Sequence, residues 1–150
     1  MNIRLAEEKD IAALSVIRGI DTASVTHWLD RISGYYNGTH HPQQALAKRV
    51  IYVAEDDGRI VGFIAGHLTR RYDCDGELQW IDIITDYRNK GIATMLLQSL
   101  FNWFRAEHAK QICVNCAPDN TIAMDFYQKN GAVPLNDHWL IWENIDTKVY

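Results

Sequence analysis

Residues 82–97 carry an apolar run into a short polar turn and then into an amphipathic run, and this junction constrains the fold more than any other stretch. A β-branched run that stops at Ile84, followed by an apolar stripe that starts at Ile92, reads as strand, tight loop and helix. A helix starting at such a loop directs unpaired N–H groups into it, and that end carries about half a positive charge. Arg88 and Lys90 add cationic side chains, while Gly91 and Ala93 keep bulk away from the backbone. An anion, and so a phosphorylated ligand, is the natural occupant. A plain glycine-containing connection is the alternative, which the bare pattern Arg-x-x-Gly-x-Ala leaves open. Two better-known phosphate loops do not match: Gly91 is followed by Ile92 rather than Lys-Ser/Thr, and the three glycines of a dinucleotide fingerprint are absent.

A chain of 150 residues that is 47% apolar suits one domain, residues 1–150, around one core. No apolar run of about twenty residues is present and the N-terminal residues lack a basic-then-apolar signal, so a cytoplasmic protein is expected. A net charge of −4, from 15 Lys and Arg against 19 Asp and Glu, argues against a surface that tracks nucleic-acid phosphates. The three cysteines, Cys74, Cys113 and Cys116, leave an odd thiol and suit a reducing compartment. Cys113 and Cys116 have Cys-x-x-Cys spacing, but in a strand that spacing puts them on opposite faces, so they read as ordinary buried thiols. No metal is expected: His40 and His41 have no third ligand at a useful spacing and read as exposed loop residues. The sequon at residues 37–39, with no secretory signal, reads as a turn.

Along the chain, residues 2–5 alternate as a first strand, and residues 6–18 place Ile11, Leu14, Ile17 and Ile20 along one helical stripe. A helix over residues 24–31, a loop over 34–42 and a helical turn over 43–49 follow with weaker signals. Residues 50–55 and 59–68 form a hairpin about Asp56-Asp57-Gly58, and residues 77–84 make the strand that feeds the opening junction. On a regular strand Glu77, Gln79 and Ile81 share one face and Asp82 the other, unless a bulge intervenes. After the helix begun at Ile92 come a strand over residues 111–117 and a helix over 121–130, capped by Asp119 or Asn120 and stopped at Gly131. Residues 133–135 and 138–144 supply two last strands, whose Trp139, Ile141 and Trp142 suit either a core or a homodimer seam.

Two patterns, Arg88-x-x-Gly91-x-Ala93 and Asn120-x-x-Ala123-x-x-Phe126-Tyr127-x-x-x-Gly131, occur in this order, and together they resemble the signatures of the GNAT superfamily of N-acetyltransferases. The resemblance covers most of the chain from Val50 onward; Thr85 stands where the family often has proline. It implies an α/β (α+β) fold, a mixed and mostly antiparallel six- or seven-stranded sheet flanked by helices. It also implies acetyl-CoA as donor and a primary amine as acceptor, acetylated by direct attack in a ternary complex. By the same resemblance Ile83, Ile84 and Thr85 lie along the pantetheine arm of coenzyme A, and Arg88, Asn89, Lys90, Gly91, Ile92, Ala93 and Thr94 surround its diphosphate. Asn120 would touch the pantetheine region, Tyr127 would protonate the leaving sulfur, and Glu77 falls at the position of a catalytic base. Trp28, Tyr35, Tyr36 and Gln79 are candidates for acceptor contact, with packing under a long loop as the other reading of the aromatics. Protein N-terminal acetyltransferases of the family have glutamate where Asn115 stands, which favours a small metabolite, polyamine or aminoglycoside-like acceptor over a protein. A coenzyme A-binding sensor without chemistry, a protein acetyltransferase and a nucleotide-binding module are the competing functions.

Overall fold

The computed structural model describes residues 1–19 and 21–146; Ile20, expected on the first helical stripe, lies outside the described residues. Strand β1 (Asn2–Leu5) leads through a 3-10 turn (Glu8–Asp10) into helix α1 (Ile11–Arg18) and then α2 (Thr22–Asn37). A hairpin follows, β2 (Ala45–Asp56) and β3 (Arg59–Thr69), then β4 (Gly76–Ile83), α3 (Ile92–Ala106), β5 (Ile112–Asn115), α4 (Thr121–Lys129), β6 (Val133–Asn136) and β7 (Trp139–Trp142). The seven strands make one sheet in the order β1-β2-β3-β4-β5-β7-β6. Every neighbouring pair is antiparallel except β4 and β5, which α3 joins as a crossover. The mixed, mostly antiparallel sheet implied by the resemblance is therefore present. Among the described residues no helix is long and apolar enough to cross a membrane.

Local chemistry accounts for the strongest elements. Asp57 and Gly58, at φ 55° and 80°, make the two-residue left-handed turn whose twist matches the strands of the β2–β3 hairpin. In α3, Ile92, Leu96, Leu97, Leu100, Phe101 and Phe104 are buried at helical spacing. They pack with Val50, Ile64, Leu78, Ile112, Leu140 and Trp142 on one face of the sheet. The other face carries α1 and α2, where Ile11, Leu14, Ile32 and Tyr35 meet Val53, Phe63, Ala65 and Trp80. Cys113 belongs to a separate cluster with Cys74 and Ile141, whereas Cys116 lies in the α3-side core, so the two thiols do take opposite faces. β7 runs between β5 and β6 inside the sheet, and Trp142 donates its indole N–H to the Asn130 carbonyl at 2.9 Å. The edges of the sheet are β1 and β6, and in β6 Pro134 removes a ladder donor.

Three expectations are corrected. Residues 43–49 are not helical: β2 begins at Ala45, opposite Thr69, with an irregular register before Arg49 meets His67. The helix expected over residues 24–31 runs from Thr22 to Asn37, so Tyr35 and Tyr36 lie on it rather than in a loop. Glu77 and Ile81 do not share a face, because β4 contains a bulge.

That bulge sets up everything downstream. Leu78 lies opposite Gly66 and Trp80 opposite Ala65, which leaves Gln79 as an extra residue on β4. Leu78 consequently joins the α3-side core and Trp80 the α1 and α2 side, although alternation alone would align them. Pairing between β4 and β5 spans Gly76 to Leu78 and stops there. Beyond it the two strands part.

Candidate active site

The parting of β4 and β5 opens a cleft of about 1430 Å³, bounded by Ile81–Ile83 on one side and by residues 115–117 and α4 on the other. Its floor at one end is the start of α3. There a 3-10 turn (Thr85–Tyr87) leads to Asn89 at φ 61° and Gly91 at φ 82°, two left-handed residues flanking Lys90. Gly91 is the N-cap of α3 and supplies no side-chain cap, so the first-turn N–H groups have no partner within the helix. A Cβ on Gly91 would meet nothing within 4 Å, so the glycine is required by its backbone angle, and space lies open above it. The Arg88 Nε donates to the Ile83 carbonyl at 3.0 Å, and the Tyr87 hydroxyl to Asp56 at 2.9 Å, which ties the loop to the end of β4 and to the end of β2.

Of the residues expected around a donor, Ile83, Arg88, Asn89, Gly91, Ile92, Ala93, Thr94 and Asn120 line the cleft, while Ile84, Thr85 and Lys90 do not. Asn120 caps α4, its Oδ1 accepting from the Ala123 N–H at 3.2 Å. Tyr127 lines the cleft with only 6% of its surface exposed. Its ring sits edge-on to Trp142 at 5.8 Å, and its hydroxyl has no hydrogen-bond partner among the described residues. Burial, reinforced by the charges of Cys116 and Asp82, raises the phenol above its ordinary value, so it stays protonated at neutral pH.

At the other end of the cleft stand two carboxylates. Glu77 is 4% exposed and accepts from the Arg71 Nε at 3.1 Å, with His67 Nε2 at 3.6 Å. Arg71 itself lies over the Trp139 ring at 4.6 Å. Asp82 accepts from Arg18 at 2.6 Å, and burial raises its carboxyl above the ordinary range against the opposing pull of Arg18. The Arg18 guanidinium in turn lies 4.4 Å over Trp28, which stands edge-on to Trp80 at 5.8 Å.

The residues expected to touch an acceptor are dispersed. Gln79 lines the cleft at the bulge. Trp28 does not reach it directly but backs Arg18. Tyr35 is fully enclosed, its hydroxyl 2.9 Å from His67 Nδ1, and Tyr36 is exposed on α2 away from the cleft lining. His40 and His41 line the cleft rather than standing free: Arg31 donates to His40 Nε2 at 2.7 Å and Arg49 to His41 Nδ1 at 2.9 Å. Sequence reasoning did not single out Arg18, Arg31 or Arg71, and it read Trp139 as core or dimer seam rather than as part of a site. Arg18 and Trp139 are brought in by contacts distant in the chain, with Asp82 and Arg71, while Arg31 and Arg71 meet His40 and Glu77 only nine and six residues away across a change of element. Among the described residues no cluster of three His, Cys, Asp or Glu side chains could hold a metal.

The family model for the acetyltransferase (GNAT) family matches residues 22–132, and the chain belongs to this family. It is 30% identical over 82 residues to N-alpha-acetyltransferase 30 of Schizosaccharomyces pombe, a match covering 53% of this chain and 55% of that protein. The match thus spans about half the length of that curated relative. Among solved structures, PaiA N-acetyltransferase of Thermoplasma acidophilum, in complex with coenzyme A, superimposes with a TM-score of 0.74 at 15% identity, over 95% of this chain and 98% of that one. The aminoglycoside 6′-N-acetyltransferase of Acinetobacter haemolyticus gives 0.73 at 18% identity, over 91% and 93%. At these identities the likeness is one of fold.

Proposed function

We propose that this protein is an acetyl-CoA-dependent N-acetyltransferase that acetylates a primary amine on a small molecule, by direct attack in a ternary complex. The observation that carries this reading is the bulge at Gln79, which ends β4–β5 pairing at Leu78 and leaves a long cleft with a helix N-terminus at one end and carboxylates at the other. The residues present fit coenzyme A. First-turn N–H groups of α3 beneath the open space at Gly91 suit its diphosphate, with Arg88 alongside, and the freed β4 edge at Ile81–Ile83 suits its amide-bearing arm. Acetyl-CoA supplies the activated acetyl thioester.

The chain's own groups then divide the work. In the net reaction a nitrogen–carbon bond forms, the carbon–sulfur bond breaks, one proton leaves the amine and one reaches the sulfur. Glu77, held by Arg71, is the proposed acceptor of the amine proton, directly or through water. Tyr127, kept protonated by burial, is the proposed donor to sulfur. Main-chain N–H groups of β4 past the bulge, where pairing with β5 has ended, are the proposed partners of the thioester oxygen. The small-molecule acceptor is supported by Asn115, which stands where the family's protein N-terminal acetyltransferases have glutamate, and by the arginine-rich walls of the acceptor end. Three buried free thiols support a reducing, cytoplasmic setting.

The test is an amine panel with acetyl-CoA, followed by the appearance of free thiol. Amine-dependent thiol release is expected. Acetyl-CoA binding without release would indicate a coenzyme A sensor, and ATP binding without acetyl-CoA binding a nucleotide module.

A further inference from the structure

The acceptor end of the cleft has an unbalanced charge. Three arginines line it, Arg18, Arg31 and Arg71, with two carboxylates, Glu77 and Asp82. Arg71 is matched by Glu77 at 3.1 Å and Arg18 by Asp82 at 2.6 Å. Arg31 meets no carboxylate among the described residues, and its hydrogen-bond partner is His40 Nε2 at 2.7 Å. A guanidinium can only donate, so that nitrogen of His40 must be unprotonated. Burial and the adjacent Arg31 and Arg49 cations hold the imidazole below its ordinary value in the same sense. His40 therefore adds no charge of its own, and the cation of Arg31 stands uncompensated.

Among the cleft-lining residues at this end, two side-chain atoms are buried without partners, Arg18 Nε, a donor, and Gln79 Oε1, an acceptor; a third, His67 Nε2 beside Glu77, belongs to a residue that does not line the cleft. Each such atom carries a desolvation cost until something meets it. A ligand that satisfies both must offer an oxygen acceptor and an N–H donor. A negative charge on that ligand would in addition meet the half-buried Arg31, which has no carboxylate of its own among the described residues. A polyamine brings further cations against Arg31 and no oxygen for Arg18 Nε, and an aminoglycoside brings oxygens but, with them, further cations and no negative charge.

We infer that the acceptor is an amine that also carries a carboxylate, an α-amino-acid-like metabolite, whose carboxylate is read by Arg31 and the free Arg18 N–H and whose amine is seated at Gln79. This rests on the N-acetyltransferase reading above and names its substrate class. The bulge residue thus has two consequences: it opens the donor cleft and it presents an amide oxygen to the acceptor nitrogen.

The experiment compares amino acids with the amines left when the carboxylate is removed: methionine with 3-(methylthio)propylamine, phenylalanine with phenethylamine, arginine with agmatine, and spermidine as a polycation. Coenzyme A release is measured for each with the full chain. The carboxylate-bearing member of at least one pair is expected to have a kcat/KM roughly 10- to 100-fold higher, the range for a charge-assisted contact. Arg31→Gln should collapse that ratio toward one, and Arg31→Lys should restore part of it, while calorimetric acetyl-CoA affinity reports that each variant is folded. Equal or faster release with the decarboxylated amines or spermidine in the unmodified protein would overturn this inference and leave the N-acetyltransferase reading standing. Acetyl-CoA binding with no release from any compound would overturn both.

Discussion

Glu77 and Asp82 face the same side of the sheet, although alternation along a regular strand assigns them to opposite sides. Their partners on β3, His67 and Phe63, lie on one face of that strand, and the extra residue Gln79 shifts the count between them. The bulge therefore gathers two carboxylates into the cleft that it also opens. Their surroundings differ: Glu77 is clamped by Arg71 beside His67, and Asp82 by Arg18 over Trp28.

The two carboxylates should separate kinetically. Glu77→Gln is expected to lower kcat by about 10²–10⁴-fold, the usual worth of a positioned base. Asp82→Asn, which leaves Arg18 without its counter-ion, should act mainly on the KM for the acceptor. Steady-state kinetics, with the acceptor varied at saturating acetyl-CoA, makes the comparison. Full kcat in Glu77→Gln would remove the residue from the chemistry.

Tyr127→Phe keeps the ring contacts with Trp142 and Phe126 and deletes a hydroxyl that bonds to no described residue. Stability and acetyl-CoA affinity should stay close to those of the parent, while turnover falls by about 10²-fold or more, as for loss of a general acid. Thermal melts, calorimetry and thiol release on the same samples check the three parts. Unchanged turnover would dismiss the phenol as proton donor.

Substitutions at Gly91 should grade by backbone tolerance rather than by size, because the space above it is open while φ is 82°. Asn, which visits left-handed angles, should be accepted better than Val, whose cost there is about 1–2 kcal/mol. Val should also turn the first-turn N–H groups and weaken acetyl-CoA binding, read by calorimetry. Equal affinity in both variants would detach the α3 N-terminus from the donor.

Acid stability should depend on Asp10, whose carboxylate accepts from Arg4 at 2.8 and 3.1 Å and from the Glu7 N–H at 2.8 Å. The Arg4 bond holds Asp10 below its ordinary value, so its contribution is present above about pH 4 and lost as pH falls through the lowered value. Asp10→Asn is expected to cost about 1–3 kcal/mol near neutrality and to lose less stability than the parent on acidification. Asp82 runs the other way: its raised carboxyl favours the fold at low pH, and that contribution is lost as pH rises through the raised value. Urea unfolding of parent, Asp10→Asn and Asp82→Asn across a pH series should show slopes changed in opposite directions.

How much of this could be read from the sequence depended on how local the cause was. The turn within residues 56–58, the stripe of α3 and the cap of α4 are each set by residues within a turn or two; the pattern located the first two and left the cap between Asp119 and Asn120, of which the structure takes Asn120. The loop ending at Gly91 was legible because the required angle falls on the glycine itself. Gly34 misled, since α2 continues through it and a Cβ there would stand 2.9 Å from that of His40. Residues 43–49 were misread because β2 is extended by pairing with β3, a contact invisible to helical periodicity. Nothing in the alternation of β4 marks Gln79 as extra, so the sharing of a face by Glu77 and Asp82 had to wait for the sheet register. Tyr35 belongs to the core through His67, a partner supplied by a different strand.

The central claim is that the cleft between β4 and β5 receives the diphosphate and amide arm of coenzyme A over the start of α3. Calorimetric titration of the full chain with acetyl-CoA, coenzyme A and ATP tests it most directly. Micromolar binding of the first two, weakened in Gly91→Val, with no heat from ATP, is the predicted result. No binding of acetyl-CoA, or binding indifferent to the Gly91 substitution, would contradict it.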